Sequence, residues 1–213
     1  MLKIILVRHG EAEGNFNRIF HGHYNSSLTS RGNIQAQRTA EFLDKYKIER
    51  LYSSDLKRAA DTAGYIAERQ KLEINFLPML REISGGKWEN KPWEALEKEF
   101  PDVYRTWETN ISAARLPGGE STAELKLRCG KEINRIAEEN KDKNIICAVT
   151  HGTVLRALVS MWKNVPMEEI MWYDNASVTI AEYENGTYAV CAEGLNAHLS
   201  GISTFEEQNW WKR

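Results

Sequence analysis

Leu2-Lys3-Ile4-Ile5-Leu6-Val7-Arg8-His9-Gly10 opens the chain with an apolar run that stops at a charged tripeptide, and Asn144-Ile145-Ile146-Cys147-Ala148-Val149-Thr150-His151-Gly152 repeats the pattern. A short, almost unbroken apolar run rich in branched residues predicts a strand buried on both faces. Each histidine therefore follows the C-terminal end of a predicted strand. In open parallel α/β sheets, ligands bind along that edge. Two histidines beside an arginine suit a site that holds an anion and attacks it.

The chain has 213 residues, enough for one sizeable α/β domain over residues 1–213. Its 42% hydrophobic and 27% charged residues are ordinary for a globular protein. A net charge of −2 and a pI near 6.3 argue against nucleic acid or an anionic membrane as the main partner. Positive charge for binding an anion must then be local. Cys129, Cys147 and Cys191 lie far apart among apolar residues, without zinc or disulfide spacing, and are read as reduced core residues. The first apolar run is too short to span a bilayer and lacks the layout of a signal peptide, so a cytoplasmic protein is expected.

Strand-like runs alternate with helical segments, the pattern of a layered α/β fold. Leu2–Val7, Ile48–Ser53, Leu72–Phe76 and Asn144–Val149 are predicted strands, and Ser177–Glu184 with Thr187–Ala192 reads as a hairpin turning at Asn185-Gly186. A helix capped by Thr29 or Ser30 runs to near Lys47, carrying Ala36, Ala40 and Leu43 on one face. Ser54 or Asp55 is expected to cap the next helix, which puts Arg58 in its first turn. Pro92 suits the first turn of a helix through Phe100, with another over Asp102–Thr109. Ser121 and Glu124 form a capping-box pattern before a helix bearing Leu125, Cys129, Ile133, Ile136 and Ala137. A helix near Val154–Trp162 follows the second histidine, then a short one opened by Pro166. Gly10–Ser27 reads as a long irregular stretch, and residues 205–213, with Trp210-Trp211, as a C-terminal tail.

Gathered near the strand ends are Arg8, His9, Asn15, Arg58, Glu82, His151 and Gly152. The blocks that carry them resemble the histidine phosphatase superfamily, the phosphoglycerate mutase-like family. Leu6-Val7-Arg8-His9-Gly10-Glu11-Ala12-Glu13-Gly14-Asn15 is similar to the family opening LVRHGxTxxN, and Ser27-Leu28-Thr29-Ser30-Arg31-Gly32 with Gln35-Ala36 to PLTxxGxxQA. Ser53-Ser54-Asp55-Leu56-Lys57-Arg58-Ala59 with Thr62-Ala63, then Leu80-Arg81-Glu82-Ile83, Gly118-Gly119-Glu120-Ser121 and Val149-Thr150-His151-Gly152, follow in family order over residues 2 to about 180. The resemblance implies a three-layer α/β/α sandwich around a mostly parallel sheet. It also implies metal-independent phosphomonoester hydrolysis through a phosphohistidine, with no cofactor and a phosphorylated small molecule as substrate.

The chemistry suits these residue types. A phosphoryl group in transfer spreads negative charge over its equatorial oxygens, so fixed positive donors do most of the work. Arg8 and Arg58 offer planar forks to those oxygens, Asn15 an amide, and His151 a further donor. His9, neutral and with a free lone pair, is the proposed nucleophile. The neighbouring arginines disfavour its imidazolium form. The resemblance implies a carbonyl that holds its other ring nitrogen. Glu82 lies in a loop where carboxylates are usually exposed and idle; the family-like block makes it the proposed general acid, protonating the leaving oxygen and then taking a proton from water.

Blander readings stand beside these. Arg8 alone could be a strand-end ion pair, His151 a hydrogen-bonded core histidine, and Arg81 a structural partner. His21 and His23 flank Gly22, but no cysteine or carboxylate cluster supports a metal there, so a substrate-facing or surface role is assigned. Trp88, Trp93 and Trp107 read as packing residues, with one of them a candidate for the pocket wall. Asn25-Ser26-Ser27-Leu28 and Glu11-Ala12-Glu13 depart from the commoner family forms, and the missing threonine removes one hydroxyl from the phosphate loop. A bisphosphoglycerate-dependent mutase and a non-catalytic phosphate-binding protein are the alternatives. Arg81-Glu82-Ile83-Ser84 and the compact middle segment look more like the broad-specificity and α-ribazole phosphatase branches. Monomer and homodimer stay open.

Overall fold

The computed structural model describes residues 1–207. Its central sheet has the strand order β4-β3-β6-β1-β7-β8, built from β1 (Leu2–Arg8), β3 (Arg50–Ser53), β4 (Ile74–Phe76), β6 (Ile145–Thr150), β7 (Val178–Glu184) and β8 (Thr187–Leu195). β4, β3, β6 and β1 run parallel, and the β7–β8 hairpin adds antiparallel pairs at one edge. The mostly parallel sheet is as expected.

Strand side chains alternate between faces, and β1 shows it directly. Leu2, Ile4 and Leu6 enter one core with Leu125, Ile133, Leu155 and Leu158, while Ile5 and Val7 enter another with Ala40, Leu51, Ala59 and Ile66. The first core packs α6 (Thr122–Glu139) and α7 (Gly152–Lys163), and the second packs α2 (Ser30–Phe42) and α3 (Lys57–Gln70). Helices on both faces explain why β1 and β6 carry no alternating polar residues.

Between these elements lie α1 (Glu13–Asn17), β2 (Ile19–Phe20), β5 (Lys91–Pro92), α4 (Trp93–Glu99) and α5 (Pro101–Thr109). β2 and β5 pair antiparallel, which fastens the loop after β1 to the entry of α4. Phe20 meets Trp88, Trp93 and Trp107 edge-on at 5.3 to 5.6 Å between ring centroids, so an aromatic cluster builds this flank. α8 (Thr204–Glu207) is the last described element.

Several local expectations are corrected. The stretch 10–27 is not irregular throughout, since α1 and β2 lie within it. The helix expected to reach Lys47 stops at Phe42 and tightens into a 3-10 turn over Leu43–Lys45. Pro92 precedes its helix and pairs with Ile19 instead of entering the first turn. Neither Ser54 nor Asp55 is the residue flanking α3, because Leu56 holds that place. Cys129 and Cys147 are buried, but Cys191 is exposed because β8 is the edge strand, open on one side of the sheet. Residues 204–207 of the region about the predicted tail form a helical turn; Trp210 and Trp211 lie outside the described residues.

Candidate active site

The parallel register of β1 on β6 aligns Val7 with Val149 and Arg8 with Thr150. His9 N–H then donates to the Thr150 carbonyl at 2.9 Å, so the chain leaves both strands in step. That register sets the His9 and His151 rings 5.1 Å apart, tilted by 58°. β3 pairs with the other side of β6, placing Ser54 against Val149, and α3 starts shortly after with Arg58 in its first turn.

His9 is 3% exposed. Its Nδ1 lies 2.7 Å from the Gly10 carbonyl oxygen, a contact that places the proton on Nδ1 and leaves Nε2 unprotonated, with its lone pair toward Arg58. Arg58 Nε donates toward that Nε2 at 3.3 Å. Burial first, then the charges of Arg58 and Arg8, hold the ring well below the ordinary imidazole value. The result is a neutral nucleophile between two cations.

Arg58 is fully buried, and its two terminal nitrogens donate to the Tyr24 and Gly22 carbonyls at 3.0 and 2.9 Å. Burial depresses its value to about 10 despite the opposing carboxylate of Glu82. Arg8 donates from Nη1 to the Tyr173 carbonyl and lies against Gly152, where an added Cβ would be 3.5 Å from the guanidinium carbon. Arg8 Nε and His151 Nδ1 are buried without a hydrogen-bond partner among the described residues. His151 Nε2 lies 2.8 Å from Ser54 Oγ, and burial followed by the charge of Arg58 lowers that imidazole too.

Asn15 Oδ1 accepts from Ala12 N at 3.0 Å and Asn175 Nδ2 at 3.2 Å, which turns the oxygen inward and leaves the amide NH2 as the available donor. Both carboxylate oxygens of Glu82 accept backbone N–H groups, from Ile83 at 2.9 Å and from Thr153 in the first turn of α7 at 3.1 Å. The Glu82 carbonyl is held as well, by His23 Nε2 and Arg128 Nη2 at 2.8 Å each. A cavity of about 720 Å³ opens over Arg8, His9, Asn15, Arg58, Glu82 and Gly152.

All seven predicted residues thus converge, His151 through its ring contact with His9. Arg81 pairs with Asp55, as the blander reading had it. His21 is buried and lines the cavity, whereas His23 braces Glu82 from behind. Trp88 is core, while Trp93 and Trp107 both reach the cavity wall. Among the described residues no cluster of histidine, cysteine or carboxylate groups could hold a metal.

Sequence reasoning missed the loop 173–177. The Tyr173 carbonyl accepts from Arg8, Asn175 Nδ2 bridges the His9 carbonyl and Asn15 Oδ1, and Ala176 N donates to the His9 carbonyl at 3.1 Å. Ala176 takes a left-handed φ of 60° to do so, a conformation unusual for a residue with a Cβ. The polar pair Asp174-Asn175 between an aromatic run and a strand was the available signal. Ser54 was also missed, having been assigned to a cap.

A family profile, histidine phosphatase superfamily (branch 1), matches residues 4–194. The chain belongs to this superfamily. It is 40% identical over 159 residues to phosphoglycerate mutase-like protein 4 of Arabidopsis thaliana, covering 73% of this chain and 69% of that protein. It is also 28% identical over 201 residues to phosphoserine phosphatase 1 of Hydrogenobacter thermophilus, covering 93% and 95%. Among solved structures, Bacillus stearothermophilus YhfR superposes with a TM-score of 0.89 at 27% identity, over 94% of this chain and all of that one. In this histidine phosphatase-superfamily chain no helix among the described residues is long and apolar enough to cross a membrane.

Proposed function

We propose that this protein is a metal-independent phosphomonoester hydrolase that passes the phosphoryl group of a small-molecule substrate through His9. The reading rests on one arrangement: a buried, neutral His9 whose Nδ1 is tied to the Gly10 carbonyl at 2.7 Å while Nε2 faces Arg58. The His9 Nε2 lone pair attacks phosphorus and the bond to the ester oxygen breaks. Arg8, Arg58, Asn15 and His151 take the charge that builds on the equatorial oxygens. Arg8 Nε, a buried donor without a partner, supports this, and so does His151 Nδ1, a buried ring nitrogen without one, because unpaired buried polar atoms favour a site that receives a polar ligand.

Glu82, fixed by two backbone N–H groups, gives its proton to the departing alcohol oxygen. It then takes a proton from water as the water oxygen attacks phosphohistidine, which frees His9 and releases phosphate. Relatives named as a phosphoserine phosphatase and as a mutase-like protein fit a pocket that makes the same intermediate. Brief incubation with labelled p-nitrophenyl phosphate should yield an acid-labile, base-stable adduct on His9, with phosphate released in proportion to turnover. Near wild-type turnover by His9→Ala would overturn the assignment. Transfer of label to a second alcohol without phosphate release would replace hydrolase by mutase.

A further inference from the structure

We propose that Arg156 is a second anion-recognising point of the same cavity and selects phosphomonoesters that carry a carboxylate on the alcohol part, an inference that rests on the phosphatase reading. Arg156 belongs to α7, is 5% exposed and lines the cavity. Its Nε donates to the Ile170 carbonyl at 3.0 Å and its Nη2 to the Met167 carbonyl at 2.6 Å. The guanidinium carbon lies 4.1 Å from the centre of the Trp172 ring. These contacts fix the plane of the fork. Nη1 is left without a hydrogen bond to any described residue, although the residue as a whole is 5% exposed.

No carboxylate forms an ion pair with Arg156 among the described residues, so its charge is only partly compensated; burial lowers its value to about 10. Glu168, a neighbouring carboxylate on the cavity wall, is exposed and accepts from Ser112; its charge favours the Arg156 cation from a distance without forming an ion pair with it. Two backbone carbonyls and an indole face would satisfy a structural arginine at two nitrogens; the third is surplus to that task and suits an incoming oxygen acceptor.

Position along α7 bears on the ligand proposed. Arg156 lies four residues beyond Gly152, about 6 Å along the helix axis, and Gly152 backs the Arg8 guanidinium. Arg8 and Arg156 line the same cavity, so the ligand proposed carries its phosphoryl group and its carboxylate on one short carbon skeleton. O-phosphorylated hydroxy and amino acids have that form.

The test uses matched esters. O-phosphoserine differs from phosphoethanolamine only by the carboxylate, and 3-phosphoglycerate is compared with glycerol 3-phosphate. The wild type should prefer each carboxylate-bearing member in kcat/KM. In Arg156→Gln the ratio within each pair should fall by roughly 10- to 100-fold, the scale of one charge-assisted hydrogen bond, with Arg156→Lys between the two. The loss should lie mainly in KM. Equal loss on both members of a pair would show that Arg156 only holds the 167–172 turn, and would overturn the proposal. Should the variants fail to fold, the wild type still decides: no preference within the pairs, with p-nitrophenyl phosphate hydrolysed, overturns the carboxylate site alone. Failure to hydrolyse any ester overturns the phosphatase reading with it.

Discussion

Lowering the pH from 7 to 5 should destabilise this protein well before its carboxylates titrate, because three imidazoles are buried as neutral rings. His9, His21 and His151 are 3%, 8% and 0% exposed. Each is held well below the ordinary value of 6.5, first by desolvation and next by the positive charge of Arg58. A group whose value is lower in the folded state favours the neutral form there. Below pH 6.5 the unfolded chain binds protons that the folded chain refuses, so stability is full above that pH and falls beneath it. A ring that stays neutral to pH 5 loses about 1.4 kcal/mol per pH unit, or about 2 kcal/mol at pH 5. The three together set an upper limit of about 6 kcal/mol, within the range of a whole domain's stability of about 5–15 kcal/mol. His198, half-buried and also lowered, adds in the same direction. Asp55 and Glu120 are lowered from ordinary values of 3.8 and 4.5, so their contributions fade only at lower pH. Urea unfolding followed by tryptophan fluorescence at pH 7, 6 and 5 reads the effect, and stability should fall with pH below 6.5 with a slope whose upper limit is about three protons near pH 5.5. His21→Asn should make that slope shallower, by at most about one proton. A stability that moves by less than about 1 kcal/mol between pH 7 and 5 would refute the reasoning, since it would mean that the buried rings accept protons in place.

Glu82→Gln should slow turnover by about 100- to 10,000-fold on alkyl phosphates and much less on aryl phosphates, whose leaving groups depart without protonation; equal losses in steady-state kinetics would remove Glu82 as the proton donor. Turnover should survive exhaustive EDTA, because Arg8 and Arg58 supply the positive clamp that metal ions supply elsewhere, and loss restored by a divalent ion would reject that view. Gly14→Ala should lower stability by about 1–3 kcal/mol through overpacking, since its Cβ would come 1.8 Å from His21 Nε2; an unchanged urea midpoint would show that His21 moves aside freely.

Much of the fold was legible because strand signals here are dense and local. In β1 and β6 nearly every side chain is apolar, and burial on both faces demands that pattern. The capping box of Ser121 and Glu124 was likewise readable, as its contacts span only three residues. Local chemistry misled where tertiary partners outbid it. Ser54 and Asp55 look like caps for α3, yet His151 and Arg81 engage their side chains across the fold. Pro92 looks like a helix opener, yet a strand at Ile19 takes it.

What the sequence determined by itself was the set of chemical groups and their order: Arg8 and His9 after one strand, Arg58 early in a helix, Glu82 in a loop, His151 after another strand. Tertiary structure decided their mutual geometry, because sheet register is fixed by pairing between distant segments and not by either segment alone. A shift of β1 against β6 by one residue would separate the two histidines and turn Ile5 and Val7 toward the other core. The same holds for the loop 173–177, whose Asn175 reaches His9 and Asn15 across about 160 residues of chain, and for Arg156, whose surplus nitrogen exists only once the 167–172 turn has folded against it.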